Sequence, residues 1–289
     1  MKNKKLLLAI ILAFAVAVLF AGCGTSTTPD TSTPPAQDEA QTPTPAPPEP
    51  AAPAVSGDIM IAAAASLQNA VEGDLIPMFN QTYPDVNVTG TYDSSGKLQT
   101  QIENGLDAQI FFSAATKQMD ALVTGGFIDS STVVNLLENE VVLITGANTD
   151  TKVTGFENIT DAKSIAIGDP ASVPAGQYAQ EILTNLGVWD GIEKTASLGT
   201  NVTEVLNWVA EGSAEVGIVY STDTYGMTDK VKVIATAPAD SLKTPVVYPV
   251  GLQVNLGDKS DAAKAFLDFL KSPAASAVFE KYGFKVLSA

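Results

Sequence analysis

From residue 57 onward, short apolar runs rich in β-branched residues alternate with segments of helical periodicity, and this alternation confines the chain to an α/β architecture. Strands are expected over 58–64, 87–92, 108–112, 140–144, 164–167, 216–220, 231–236 and 246–254. Helices are expected over 67–79, from Ser95, through Met119 and Leu122, and over 174–186, 203–210, 261–271 and 274–282. Ser66 stands at the N-cap position of the first helix, Pro174 in the first turn of another, and Pro273 splits the last two. Such a pattern predicts mixed, mostly parallel sheets flanked by helices, with ligands at the carboxyl ends of strands where helices begin. Roughly 230 residues suffice for two lobes of roughly 110 to 120 residues each.

The first 56 residues do not share this pattern. Lys2, Lys4 and Lys5 precede an apolar run from 6 to 20, followed by Ala21, Gly22 and the chain's one cysteine, Cys23. A charged start, a short apolar core and small residues make a secretory signal peptide over 1–22. The cysteine at its end resembles a bacterial lipobox, which implies a lipidated Cys23 as the mature N-terminus, although Phe20 stands where an aliphatic residue is usual. The expected location is extracytoplasmic, lipid-anchored to a bacterial cell membrane. From 24 to 56 the composition turns to Pro, Thr, Ser and Ala: nine of 17 prolines and no aromatic residue lie there. That stretch cannot bury enough apolar surface to offset its ordering entropy, so 23–56 reads as a disordered tether. Fully extended at about 3.1 Å per residue, it would reach roughly 100 Å.

Composition then removes most chemistries. All 16 basic residues are lysine; arginine and histidine are absent. A histidine base, a His-ligated metal, a Ser-His-Asp triad and a guanidinium clamp are therefore excluded. One cysteine permits neither an intrachain disulfide nor a Cys-based zinc cluster. The net charge of −16 argues against nucleic-acid binding. Removing 1–22 takes three lysines, leaving 13 against 32 acids, a net charge of −19. An anion site in such a chain must rely on short-range, oriented dipoles.

Four segments have the form such a site needs. They are Ala63-Ala64-Ala65-Ser66, Asp93-Ser94-Ser95-Gly96, the stretch from Gly168 to Gly176, and Gly199-Thr200-Asn201-Val202-Thr203. In each, a strand ends in small or hydroxyl residues and a helix begins, which presents free backbone N–H groups at the positive end of a helix dipole. Any one of them alone is an ordinary N-cap; four in two halves of a chain lacking Arg and His point to an anion.

Ala-Ala-Ala-Ser-Leu-Gln-Asn-Ala (63–70), Ser94-Ser95-Gly96 with Gln101-Ile102-Glu103, Phe112-Ser113-Ala114, Gly168-Asp169-Pro170, Val173-Pro174-Ala175-Gly176, Gly217-Ile218-Val219-Tyr220, Tyr248-Pro249-Val250 and the ending from Phe279 to Phe284 occur in this order. Together they resemble the periplasmic molybdate-binding proteins of ABC uptake transporters, over essentially all of 57–289. The resemblance implies a two-lobed clamp of the type II periplasmic-binding-protein fold, with lobe I at 57–138 plus 247–289 and lobe II at 139–246. It implies molybdate or tungstate bound in the inter-lobe cleft by neutral donors: the Ser66 and Ser95 hydroxyls, the backbone N–H groups of Ala175 and Val202, and the Tyr220 hydroxyl. These residues would hold the oxyanion as hydrogen-bond donors, not as direct metal ligands. Read without the resemblance, Tyr220 is a strand-end aromatic of the core.

No catalytic role and no cofactor are expected beyond the ligand itself. The expected partners are the oxyanion, a membrane permease and the lipid anchor, with the protein a monomer that binds no nucleic acid. Two positions depart from the family pattern: Asp93 where a small residue is usual, and Thr203 where a base is common. A carboxylate at 93 could accept the hydroxyl of a protonated anion such as phosphate, or it could cap the following helix. A same-fold binder of sulfate or phosphate, an enzyme reusing the fold and a non-transport surface lipoprotein remain the alternative readings.

Overall fold

The computed structural model describes residues 55–287. The signal peptide, Cys23 and all but the last two residues of the expected tether lie outside the described residues. Among the described residues, no helix is long and apolar enough to cross a membrane.

Two sheets organise the chain. The first has six strands in the order β11-β4-β10-β3-β1-β2: β1 is Gly57–Ala64, β2 Val86–Asp93, β3 Ile110–Phe112, β4 Val134–Asn139, β10 Val246–Leu252 and β11 Lys285–Val286. The second has five in the order β7-β6-β8-β5-β9: β5 is Val141–Gly146, β6 Ile165–Gly168, β7 Ser197–Gly199, β8 Val216–Tyr220 and β9 Val231–Thr236. The chain leaves the first sheet at Asn139 and enters the second at Val141, and it returns between Thr236 and Val246. The parallel character expected of βα alternation holds in β2-β1-β3 and in β7-β6-β8. It fails for β4, β5, β9, β10 and β11, which pair antiparallel. The expectation of mostly parallel pairing is thus corrected. Strands that carry the chain from one sheet to the other do not enter through a βαβ crossover, so nothing forces them to run parallel.

β5 and β8 are buried along their whole length, which is why they read as unbroken apolar runs rather than alternating ones. β10 carries Pro249 at an interior position of its sheet. Its pairing with β4 shifts register between Tyr248 and Pro249, an irregularity that accommodates a residue without an N–H.

The helices are α1 (Gln68–Ala70), α2 (Ile76–Thr82), α3 (Ser95–Glu103), α4 (Thr116–Thr124), α5 (Pro174–Asn185), α6 (Val202–Ala210), α7 (Ser260–Leu270) and α8 (Pro273–Lys281). The expected first helix is a composite. It opens with a 3₁₀ turn at Ala65–Leu67, passes through α1, widens into a π-turn at Val71–Leu75 and closes as α2. Ser66 therefore lies inside the first turn and is not the N-cap, a correction to the sequence reading. Pro77, inside this run, would clash with the carbonyl four residues back in an unbroken α-helix. The π-turn just before it changes that spacing: Ile76 N–H bonds the carbonyl of Val71, five residues back.

The sequence pattern does not announce strands β4, β7 and β11. β7 and β11 have three and two residues, too few to show a period. β4 (VNLLEN) has two adjacent buried leucines and no clean alternation, and only Glu140 separates it from β5.

Candidate functional site

The four strand-to-helix segments converge on one small cavity between the two sheets, about 10 Å³ in volume. Ser66, Ser95, Ala175, Val202 and Tyr220 all line it, together with Asp93 and Ser94. The space is far smaller than the roughly 300 to 1,000 Å³ of a drug-sized ligand site and excludes anything larger than a compact ion.

Each segment delivers its donor for a local reason. At the carboxyl end of β1, Ala62, Ala63 and Ala64 are buried and small, so the turn carrying Ser66 starts close to the cleft. Ser95, the first residue of α3, is fully buried, and its Oγ accepts the Ala114 N–H at 2.9 Å. The hydroxyl hydrogen of Ser95 is thereby left to point elsewhere. Ala175 and Val202 are the second residue of α5 and the first of α6. The first four N–H groups of a helix have no intrahelical partner. The residue before α5, Val173, has no polar side chain to cap them, and Asn201 before α6 takes only the Glu204 N–H, at 3.0 Å. Glycine sets the approach of α5: a Cβ at Gly176 would lie 2.0 Å from the Gly168 carbonyl oxygen. The Gly168…Gly176 spacing thus lets the start of α5 sit directly against the end of β6.

Tyr220 ends β8 and is 1% exposed, yet its hydroxyl has no hydrogen-bond partner. Burial, then the neighbouring Tyr248, Tyr178 and Asp223 groups, hold its phenol well above the ordinary tyrosine value, so it is a neutral donor. Its ring packs edge to face on Tyr178 and Tyr248, so it is at once a core aromatic and a wall of the cavity. Ser94 is a further hydroxyl that was not among the five residues singled out in sequence. It is 3% exposed, it precedes the first helical residue of α3 without capping it, and its Oγ has no partner. The signal for it was its place in Asp93-Ser94-Ser95-Gly96, where two adjacent serines compete for one role.

Asp93 is occupied. Its Oδ1 accepts the Ser94 N–H at 2.8 Å and the Asn201 Nδ2 at 3.3 Å, and it pairs with Lys97 at 3.4 Å. Of the two readings open in the sequence, the geometry favours a carboxylate engaged at the start of α3 over one presented to a ligand. The lobes also meet directly. Gly96 N–H donates to the Ser172 carbonyl at 3.0 Å, and Gln118 Nε2 to Gln177 Oε1 at 3.3 Å. Among the described residues, no group of three or more Asp, Glu, Cys or His side chains is placed to hold a metal cation. The cavity is lined by hydroxyl side chains and helix starts from both lobes, with the Asp93 carboxylate among its lining residues.

Comparison with known proteins gives the same direction. The family model described as bacterial extracellular solute-binding protein matches residues 59–285. The YvgL protein of Bacillus subtilis (strain 168) is 39% identical over 226 residues, covering 78% of this chain and 85% of that one. The molybdate-binding protein ModA of Escherichia coli (strain K12) is 38% identical over 237 residues, covering 80% and 90%. A solved substrate binding domain from Clostridium difficile superposes with a TM-score of 0.61 at 38% identity, covering 80% of this chain and 99% of that domain.

Proposed function

The chain belongs to the bacterial extracellular solute-binding protein family, and from that premise we propose that it captures molybdate, and tungstate with it, between its two lobes and delivers the anion to the permease of an ABC transporter. One observation carries this reading: five neutral donors from both lobes line a single small cavity, and one of them, the buried Tyr220 hydroxyl, is without a partner. Relatives that bind molybdate over the same span support the choice of anion.

In this reading the Ser66, Ser95 and Tyr220 hydroxyls and the Ala175 and Val202 N–H groups each donate to an oxyanion oxygen. Lobe I (57–138 plus 247–289) and lobe II (139–246) then share one ligand, which favours the closed arrangement through contacts made only there. The cavity is largely shut off from water, so uncharged dipoles aimed at a dianion act in a low dielectric. Selection against sulfate comes from size, since the molybdate oxygens lie farther from their centre. The role is one of binding and release, with no chemical step. The protein acts as a monomer, tethered outside the cytoplasm through a lipidated Cys23; YvgL bears the name of a substrate-binding lipoprotein. Membrane fractionation tests the anchor: Cys23→Ala should move the protein to the soluble fraction, and retention at the membrane would reject the lipidation.

Isothermal titration of residues 57–289 with molybdate, tungstate, sulfate and phosphate tests the function. One-to-one heat with the first two and silence with the others is expected. Ser66→Ala and Ser95→Ala should each weaken molybdate binding by about 1.5 to 3 kcal/mol, the range for a hydrogen bond to a charged acceptor. Wild-type affinity in both variants would refute the site.

A further inference from the structure

Two buried residues that do not line the cavity, Asn139 and Tyr248, stand behind the Ser66 hydroxyl. Asn139 ends β4, one residue before the chain crosses to the second sheet. Its Oδ1 accepts the Glu140 N–H at 2.9 Å and the Ser221 hydroxyl at 3.0 Å. A backbone N–H can only donate, so this end of the amide is the oxygen and the group cannot be turned over. The Nδ2 end therefore donates, to the Thr222 hydroxyl at 2.8 Å and to the Tyr248 hydroxyl at 3.1 Å. Tyr248 is fully buried, and its hydroxyl lies 2.9 Å from Ser66 Oγ. Its oxygen already receives a hydrogen from Asn139, and Ser66 Oγ is the acceptor within reach of its own hydrogen. The Tyr220 hydroxyl, the other group close to Tyr248, lies outside hydrogen-bond geometry, whereas Ser66 Oγ is at 2.9 Å. Ser66 then accepts from Tyr248, and its own hydrogen is left for the cavity.

We propose that Asn139 and Tyr248 are positioning residues, a one-way buried hydrogen-bond relay from Asn139 through Tyr248 to Ser66 that commits Ser66 as a donor to the bound oxyanion. The proposal rests on the reading of the cavity as an oxyanion site. It gives the site a specificity element beyond size. Ser66 is turned by Tyr248 as Ser95 is turned by the Ala114 N–H. Hydroxyls so turned suit an anion with four bare oxygens and oppose one that brings its own hydroxyl hydrogen, such as hydrogen phosphate.

A double-mutant cycle tests the relay. Tyr248→Phe, Ser66→Ala and the double variant are titrated with molybdate beside the wild type. Tyr248→Phe should weaken binding about tenfold on its own, the low end of the loss for a hydrogen bond to a charged group, and should cost nothing more in the Ser66→Ala background. Wild-type affinity in Tyr248→Phe, or the same fold loss in both backgrounds, would reduce Tyr248 to a packing residue and overturn the relay. Neutron diffraction from deuterium-exchanged, ligand-free wild-type crystals reads the relay without any anion or variant. A deuteron bonded to Tyr248 Oη and directed at Ser66 Oγ is expected, and one bonded to Ser66 Oγ and directed at Tyr248 Oη would overturn the relay even in a protein that binds molybdate. That deuteron in place, with no molybdate binding, would overturn the proposed function and leave the relay standing.

Discussion

The closest meeting of the lobes depends on one missing methyl group. Gly96 N–H bonds the Ser172 carbonyl across the cleft at 3.0 Å, and a Cβ at Gly96 would lie 2.3 Å from that same oxygen. The clashing atom is backbone, so it cannot rotate away. Gly96 also sits in the first turn of α3, where alanine is the better helix former by about 0.5 to 1 kcal/mol. Gly96→Ala should therefore leave the melting temperature of the ligand-free protein unchanged or slightly raised, while weakening the anion complex at least tenfold because the lobes cannot close fully. Calorimetry and titration of the one variant separate the two effects; unimpaired binding would mean that closure does not need this contact. At this scale the sequence was informative where a residue's role is local. Ser95, Ala175 and Val202 begin helices, and a helix start is legible from neighbours in the chain. The relay behind Ser66 was not legible, since Tyr248 lies 182 residues from Ser66 and 109 from Asn139. Tyr248-Pro249 was visible as a motif, but nothing nearby in sequence says which hydroxyl its phenol meets.

Among the elements, the short 3₁₀ turn after β8, Ser221–Thr224, holds a buried acid. Asp223 Oδ2 accepts the Tyr220 N–H at 2.9 Å and so fixes the backbone that carries the Tyr220 hydroxyl into the cavity. Burial raises the Asp223 carboxyl from 3.8 to about 7, with the Tyr220 N–H pulling the other way. The folded state thus holds this proton more tightly than the unfolded chain does. The stabilising contribution is complete below about 3.8, shrinks as pH rises, and is lost above about 7. Each tenfold difference in proton affinity between the folded and unfolded chain is worth about 1.4 kcal/mol, so stability falls by a few kcal/mol across that window. Asp223→Asn keeps an acceptor for Tyr220 N–H and removes the titration. Between pH 5 and 8 the wild-type melting temperature should fall relative to that of Asp223→Asn; parallel curves would place the Asp223 carboxyl in contact with water. The elements that escaped the sequence failed for related reasons. β7 and β11 are held by their neighbours in the sheet, and the π-turn at Val71–Leu75 exists because Pro77 follows it. Neither cause leaves a periodic trace.

Over the whole molecule, charge and site pull in opposite directions. The chain carries −16, with 32 acids against 16 lysines. A dianion approaching from solvent meets a repulsive field that extends about 30 Å at 0.01 M salt and about 8 Å at 0.15 M. Once inside the cavity it meets oriented hydroxyls and helix starts at hydrogen-bond range, which salt screens far less. Association and dissociation should therefore respond differently to ionic strength. In stopped-flow mixing with molybdate, followed by tryptophan fluorescence, the association rate should rise severalfold as sodium chloride is increased from 0.01 to 0.15 M, while the dissociation rate stays nearly constant. Trp208 lies in the groove between the lobes, beside Tyr92 and Asn201, where closure would change its surroundings. An association rate that falls with salt would mean that the helix starts around Ser95, Ala175 and Val202 project a positive field beyond the cleft, strong enough to outweigh the acidic surface. A dissociation rate that rises steeply with salt would mean that solvent reaches the bound anion, and the dry cavity would have to be given up as the basis for holding a dianion without a single positive side chain among the donors.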